Sequence, residues 1–409
     1  MSSTIVSVMV GIFSITPGVI LCLALSSLVN GLAVPQDGSS KSLVARDNKY
    51  LKLDFQVTRG ENSSTINDKS KRQSGWVETA LDNRPSHSLY SLDLLVGADG
   101  QRVTLQVDTG SLRSWIIGAD AVCHGHDTTF CHDFGVYNKS TSSSSKDLKI
   151  FGNQVYGYAS FPKSYTGSWT TDDIHLLDGT VINQFHFLDA NYSTRSMGML
   201  ALGPERKSDR SFLLSLKKQG VINTAAFSLY LNEATAASGS IIFGGVDKAK
   251  YEGSLVTLPM KHRGSFSIKW NSITIDGKEL TANLNQTLDT GSSLTYVPDE
   301  IYNAIASAVG ATSVNKAPCR QPSDKYVSFN FDGVAIKVPY TDLVELRYTN
   351  GVLNEYCRLS VGSTSVKYNK YSILGDNFLR SAYVVYNLDD STVSLAQVKY
   401  TKDSEIVAI

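Results

Sequence analysis

At 409 residues the chain is longer than one compact core usually fills, so it is expected to hold two or more domains. Hydrophobic residues make up 42% and charged residues 19%, which excludes a largely disordered chain. The formal net charge is zero, so charge gives no ground for nucleic acid or an anionic membrane as a partner.

Residues 1–33 carry no charged side chain, and 19–29 is mostly Leu, Ile, Val, Ala and Ser. Gly31-Leu32-Ala33 supplies small residues for signal cleavage, so 1–33 reads as a signal peptide. No Lys or Arg precedes the apolar run, and an uncleaved membrane anchor is the competing reading. After signal removal no membrane association is expected. Residues 34–72 hold eight Lys/Arg against five Asp/Glu and end in Lys69-Ser70-Lys71-Arg72. A dibasic pair between a signal and a globular body reads as a processing site, which makes 34–72 a pro-segment and Gln73 the mature amino terminus.

From residue 88 the texture is β. Short alternating or apolar runs occur at 88–96, 102–107, 227–231, 240–243, 265–275, 326–331, 382–386 and 392–398, separated by Gly, Asn, Asp, Ser and Pro. Residues 142–145 form a polar loop. Two short helical patterns, 211–219 and 299–309, each stop at a glycine, Gly220 and Gly310. The fold class expected is all-β.

Cys22 falls in the signal and leaves Cys123, Cys131, Cys319 and Cys357. An even number in an oxidising compartment points to two disulfides, and four cysteines allow three pairings. The local pairing, Cys123–Cys131 with Cys319–Cys357, keeps each loop inside one half of the chain. Zinc at Cys123, His124, His126, Cys131 and His132 is the alternative, although the spacing fits no standard zinc pattern. Asn62, Asn138, Asn191 and Asn285 head glycosylation triplets, Asn285 on a strand-like run four residues before Asp289.

An internal repeat organises the body. Val107-Asp108-Thr109-Gly110-Ser111 recurs 181 residues later as Leu288-Asp289-Thr290-Gly291-Ser292. Each copy is followed by an apolar-apolar-small triplet, Met199-Leu200-Ala201 and Ile373-Leu374-Gly375. Two lobes related by a pseudo-twofold axis would bring Asp108 and Asp289 face to face. Gly110 and Gly291 allow close approach, Thr109 and Thr290 can bond across to the partner loop, and Ser111 and Ser292 can bond the outer carboxylate oxygens. Two such carboxyls cannot both ionise cheaply, so they share a proton. The ionised member can then deprotonate a water held between them while the protonated member donates to a carbonyl. This chemistry requires no cofactor and no metal.

These motifs resemble the pepsin family and, within it, the candidapepsins, the secreted aspartic proteases of Candida-type yeasts. The similarity runs through residues 372–383 (Ser-Ile-Leu-Gly-Asp-Asn-Phe-Leu-Arg-Ser-Ala-Tyr), 394–401, 217–222, 239–251 and Leu53-Asp54-Phe55, and covers about residues 50–405. It implies a bilobal pepsin-like fold with a central cleft, a 73–250 lobe carrying Asp108 and a 251–409 lobe carrying Asp289. It further implies a monomer that hydrolyses polypeptide substrates, favouring acid and apolar residues at the scissile bond. Lys71-Arg72 resembles a site for a kexin-type processing protease. Trp115 matches a tryptophan behind a hairpin flap, and Tyr156 matches the flap tyrosine, with Tyr158 as the alternative; Tyr156 and Trp115 would help form the substrate pocket.

The chain also departs from the family. Phe161, Pro162 and Tyr165 add bulk where the flap return is usually small, and are expected at its rim. The acidic residue often present in the flap is absent, and Lys163 lies nearby. Leu112 replaces a small polar residue. Ala201 replaces a glycine expected to pack close behind Asp108, so its methyl could tilt that loop. These changes leave a catalytically weak binding or cell-wall interaction protein as the alternative function. The pro-segment is about +3 and the remaining body about −3, so Coulomb attraction is expected to help hold the segment over an acidic cleft.

Overall fold

The computed structural model describes residues 49–58, 89–124, 129–156, 163–314, 316–365 and 372–409. The signal peptide, Asn62, Lys71, Arg72, Gln73, His126, Tyr158, Phe161 and Pro162 lie outside the described residues.

Ten strands of the first part of the chain matter most for the site: β1 (Leu51–Thr58), β2 (Leu89–Val96), β3 (Gln101–Asp108), β4 (Trp115–Cys123), β5 (Lys146–Tyr156), β6 (Lys163–His175), β7 (Val181–Ser193), β8 (Gly198–Ala201), β9 (Ala226–Tyr230) and β10 (Ser238–Phe243). They line up as β9-β10-β1-β2-β3-β8-β4-β7-β6-β5 within one sheet. Three strands from late in the chain, Ala382–Asn387, Thr392–Gln397 and Val256–Pro259, extend that sheet beyond β9. The two halves therefore share a backbone ladder. A seven-stranded sheet built on Ser267–Ile275 and Lys278–Leu288 forms the second lobe around Asp289. The helical patterns appear as Phe212–Lys218, capped by the Ser211 hydroxyl accepting from Leu214 N–H at 3.2 Å, and as Asp299–Ala308.

The local disulfide pairing is the one found, Cys123–Cys131 and Cys319–Cys357, with Cα atoms 5.5 and 4.9 Å apart. His132 sits beside the first pair, but both sulfurs are joined to each other and offer no thiolate, which overturns the zinc alternative at that loop. His132 Nε2 instead lies 3.3 Å from the Ala121 carbonyl. In the chain-entropy picture the longer loop, closed by Cys319–Cys357, stabilises the fold by about 4 kcal/mol.

The segment read as pro-segment is not held by charge where it is described. Its residues 51–58 are β1, an interior strand of the sheet. β1 pairs antiparallel with β10 from Leu51↔Phe243 to Gln56↔Ser238, and with β2 from Gln56↔Ser91 to Thr58↔Leu89. Leu51 and Phe55 point into the core, and Phe55 meets Tyr90 edge-on with ring centres 5.3 Å apart. A side chain at Gly239 would collide with the Phe55 ring at 2.3 Å, so that glycine makes the seat. The charged residues of the strand are not anchors: Lys52 pairs with Asp54 at 3.1 Å, both partly exposed, an arrangement worth little in water. Burying the two apolar side chains contributes about 1.5–3 kcal/mol each.

Phe55→Ala in the full-length chain should therefore lower its stability by about 3–5 kcal/mol, whereas Lys52→Ala should change it by less than about 1 kcal/mol. Denaturant melts of the two full-length variants test this, and equal losses would contradict it.

Candidate active site

The two repeat motifs end matched strands. β3 delivers Asp108 and pairs in parallel with β8, Asp108 opposite Ala201. Lys278–Leu288 delivers Asp289 and pairs in parallel with Ile373–Leu374. The loops that follow are fastened reciprocally. Thr109 N–H donates to Thr290 Oγ1 at 3.1 Å, and Thr290 N–H donates to Thr109 Oγ1 at 3.0 Å. Each hydroxyl then donates across the divide, Thr109 to the Leu288 carbonyl and Thr290 to the Val107 carbonyl, both at 2.9 Å. Both threonines are buried, so these four bonds are shielded from water.

The glycines set the spacing. A Cβ on Gly110 would come within 2.5 Å of the Asp289 carboxyl, and one on Gly291 within 2.6 Å of the Asp108 carboxyl. Each aspartate thus sits over the glycine of the opposite loop. Its own loop also holds it: Gly110 N–H donates to Asp108 Oδ1 and Gly291 N–H to Asp289 Oδ1, each at 2.8 Å.

The symmetry breaks at the serines. Ser111 donates to Asp108 Oδ2 at 2.9 Å, as the repeat predicts. Ser292 turns away and donates to the Leu294 carbonyl at 2.9 Å, so the expected outer bond to Asp289 is not made. This asymmetry separates the acids. Burial pushes both carboxyls up. At Asp108 the Ser111 hydroxyl, the Gly110 N–H and the positive charge of Arg195 work against burial. At Asp289 the neighbouring Asp108 charge adds to burial. Asp289 is thereby the member that keeps the proton, and Asp108 the member that ionises.

The structure also relocates the close approach expected at Ala201. In the second lobe a Cβ on Gly375 would meet the Ser292 carbonyl oxygen at 2.4 Å. In the first lobe the matching contact is made two residues beyond Ala201, where a Cβ on Gly203 would meet the Ser111 carbonyl oxygen at 2.4 Å. The Ala201 methyl is accommodated, and its N–H is held by Ser114 Oγ at 3.0 Å, as Gly375 N–H is held by Thr295 Oγ1 at 3.1 Å. Leu112 borders the same Gly203.

Trp115 is fully buried and stacks on Tyr165 of β6, with ring centres 4.4 Å apart. Tyr165 is therefore not at the rim: it faces inward, is 4% exposed, and donates its hydroxyl to Gln154 Oε1 at 3.1 Å. Strand alternation explains this, because Tyr165, Gly167 and Trp169 share the inner face of β6. Tyr156, the last residue of β5, pairs antiparallel with Lys163, the first of β6; the side chains of both lie outside the described residues.

Two participants escaped the sequence reading. Arg195 donates to Gln106 Oε1 at 2.6 Å, two residues before Asp108. Asp376, 1% exposed, has a carboxyl with no hydrogen-bond partner among the described residues; burial holds it well above the usual carboxylate range, opposed by Arg380 and reinforced by both site aspartates. Its position directly after the second triplet, with Leu202 after the first, was the available signal.

A model of eukaryotic aspartyl proteases matches residues 89–398. The chain belongs to the eukaryotic aspartyl protease family and is a secreted aspartic endopeptidase with a pepsin-like, bilobal all-β fold. It is 36% identical to secreted aspartic protease 8 of Candida albicans, over 97% of this chain and 99% of that protein. It is 35% identical to candidapepsin of Candida tropicalis, over 98% of this chain and 100% of the relative.

The raised carboxyls carry a stability consequence. Between the free-carboxyl value near 4 and the raised value of Asp289, the folded state holds a proton that the unfolded state releases. Stability from this group is full at low pH and lost as pH rises through that window. The protein should melt lower at pH 8 than at pH 5, and Asp289→Asn should shrink the difference by roughly a few degrees. Thermal melts at the two pH values check it; an unchanged gap would contradict the assignment of the proton.

Proposed function

We propose that Asp108 and Asp289 are the catalytic pair of this peptidase. The observation that carries the reading is the reciprocal threonine fastening, which leaves a buried and a half-buried carboxyl facing one another with different hydrogen-bond support. Asp108, ionised, takes a proton from a water held between the carboxyls. The resulting hydroxide attacks the scissile carbonyl, which accepts a proton from Asp289. In the collapse Asp108 gives its acquired proton to the leaving amine, the C–N bond breaks, and Asp289 recovers a proton from a hydroxyl of the diol, which restores the pair. Thr109, Gly110, Thr290 and Gly291 position the pair, and Ser111 favours ionisation of Asp108. Ser292 supports its own turn. A polypeptide substrate binds extended across the cleft through backbone hydrogen bonds, with apolar side chains preferred at the scissile bond and acid favoured. The hairpin β5–β6 covers the cleft, with Tyr156 at its end and Trp115 stacked behind it on Tyr165.

The same reading makes 1–33 a signal peptide and 34–72 a pro-segment that a kexin-type protease removes after Arg72. The working enzyme is a monomer with lobes 73–250 and 251–409. β1 then belongs to the precursor, and its departure opens the edges of β2 and β10 for another strand.

Asp108→Asn and Asp289→Asn should each lower kcat by about 10³-fold or more while the circular dichroism spectrum is kept, because an amide can neither accept nor donate the transferred proton. Substantial turnover in either variant, measured on a quenched fluorescent peptide at pH 3–7, rejects the assignment. Replacing Lys71 and Arg72 together by Ala should leave a longer, slower-activating secreted form. Amino-terminal sequencing that still finds Gln73 first would remove the processing site from that position.

A further inference from the structure

We infer that Arg113, Arg210 and Trp169 form a cationic subsite that takes an acidic side chain of the peptide substrate. The inference rests on the peptidase reading above and extends it to substrate class.

Both guanidinium groups lie against one indole. The Arg113 Cζ is 6.0 Å and the Arg210 Cζ 5.3 Å from the Trp169 ring centre. Neither arginine has a carboxylate partner among the described residues. Asp209, beside Arg210 in the chain, faces His186 instead, at 3.6 Å. Arg210 Nε is buried and has no hydrogen-bond partner among the described residues. Two positive charges on one ring repel, and each cation–π contact returns only about 0.5–1 kcal/mol at a partly exposed site. A partly buried arginine without a counter-ion is costly. The three residues are completed by an anion, and a planar guanidinium fork matches a carboxylate. The indole offers an apolar wall for the methylenes that carry it.

The position is next to the reacting centre. Arg113 follows Ser111, the residue bonded to Asp108, by two positions. The loop that carries Arg210 starts against the same serine, with Gly203 N–H donating to the Ser111 carbonyl at 2.8 Å. Trp169 lies on β6 of the hairpin, with Gly152 of β5 pressed so close that a Cβ there would reach 3.0 Å from the Trp169 Nε1. The subsite therefore lies between the Asp108 turn and the base of the hairpin. Five residues of chain from Asp108 to Arg113 span at most roughly 18 Å. An extended peptide advances about 3.3 Å per residue, so the acidic side chain falls within about five residues of the scissile bond. Arg195, bonded to Gln106 on β3, adds positive charge to the same lobe.

The test uses the enzyme as secreted and peptide pairs that differ only in Glu against Gln, placed at each position within five residues of the scissile bond. At pH 5.5, where glutamate is ionised, the Glu peptide should show kcat/KM about five- to tenfold above the Gln peptide at one position. The ratio should fall toward one at pH 3, and also in the Arg113→Gln, Arg210→Gln double variant at pH 5.5. A ratio near one at every position, or one that survives the double substitution, overturns the subsite while leaving the peptidase reading intact. If neither peptide is cleaved by the native protein, the peptidase reading fails, and fluorescence anisotropy with the same peptides decides the subsite separately: tighter Glu binding that the double variant loses supports it, and equal affinities overturn it. Should the double variant not fold, Arg113→Gln alone serves, because that side chain is exposed.

Discussion

The site depends on four hydrogen bonds between two threonines and the strands they face. Thr109 and Thr290 each give and receive across the line between the lobes, so neither aspartate can shift without dragging the other loop. Buried bonds of this kind cost the full desolvation of their groups if broken. That penalty holds two carboxyls at close range against their mutual repulsion. Proton sharing then relieves the repulsion, so the structural constraint and the chemistry have one origin.

What surrounds the fastening makes the two acids unequal. A hydroxyl and a nearby arginine favour charge on Asp108, while Asp289 has lost its serine to a local turn and stays protonated. Asp376 adds a buried acid behind the second lobe. A sequence repeat suggests two equivalent halves, yet acid–base chemistry needs a donor and an acceptor. The division of labour arises where the repeat is broken in space.

The parts legible in the sequence were those carried by local, repeated patterns. Asp-Thr-Gly in two copies located the aspartates, the threonine crossing and both glycine approaches, because a motif at a strand end has few conformations open to it. For the disulfides the even cysteine count gave two bridges and three pairings, of which the local one, with each loop inside one half of the chain, is found. Other features depend on contacts between distant residues. The Ser292 hydroxyl bonds the Leu294 carbonyl of its own turn, which the repeat does not distinguish from the bond Ser111 makes to Asp108. Tyr165 reads as bulk at a rim until the register of β6 is known, and register flips every side chain with one step. The Ala201 substitution looked disruptive because the compensating glycine, Gly203, lies two residues later and belongs to a different turn. The charge of residues 34–72 suggested a lid, whereas the alternating Leu51, Leu53, Phe55 and Val57 carried the strand that the sheet contains.

The reciprocal placement of Gly110 under Asp289 and Gly291 under Asp108 also bears on how such a chain can change over generations. A side chain acquired at Gly110 harms the carboxyl encoded 179 residues away as directly as a change at that carboxyl itself. The two halves can differ in their triplets, as Ala201 and Gly375 do, but at the glycines each copy is bound to the other. The chain carries the motif twice, and the geometry between the copies removes the freedom of either to change alone.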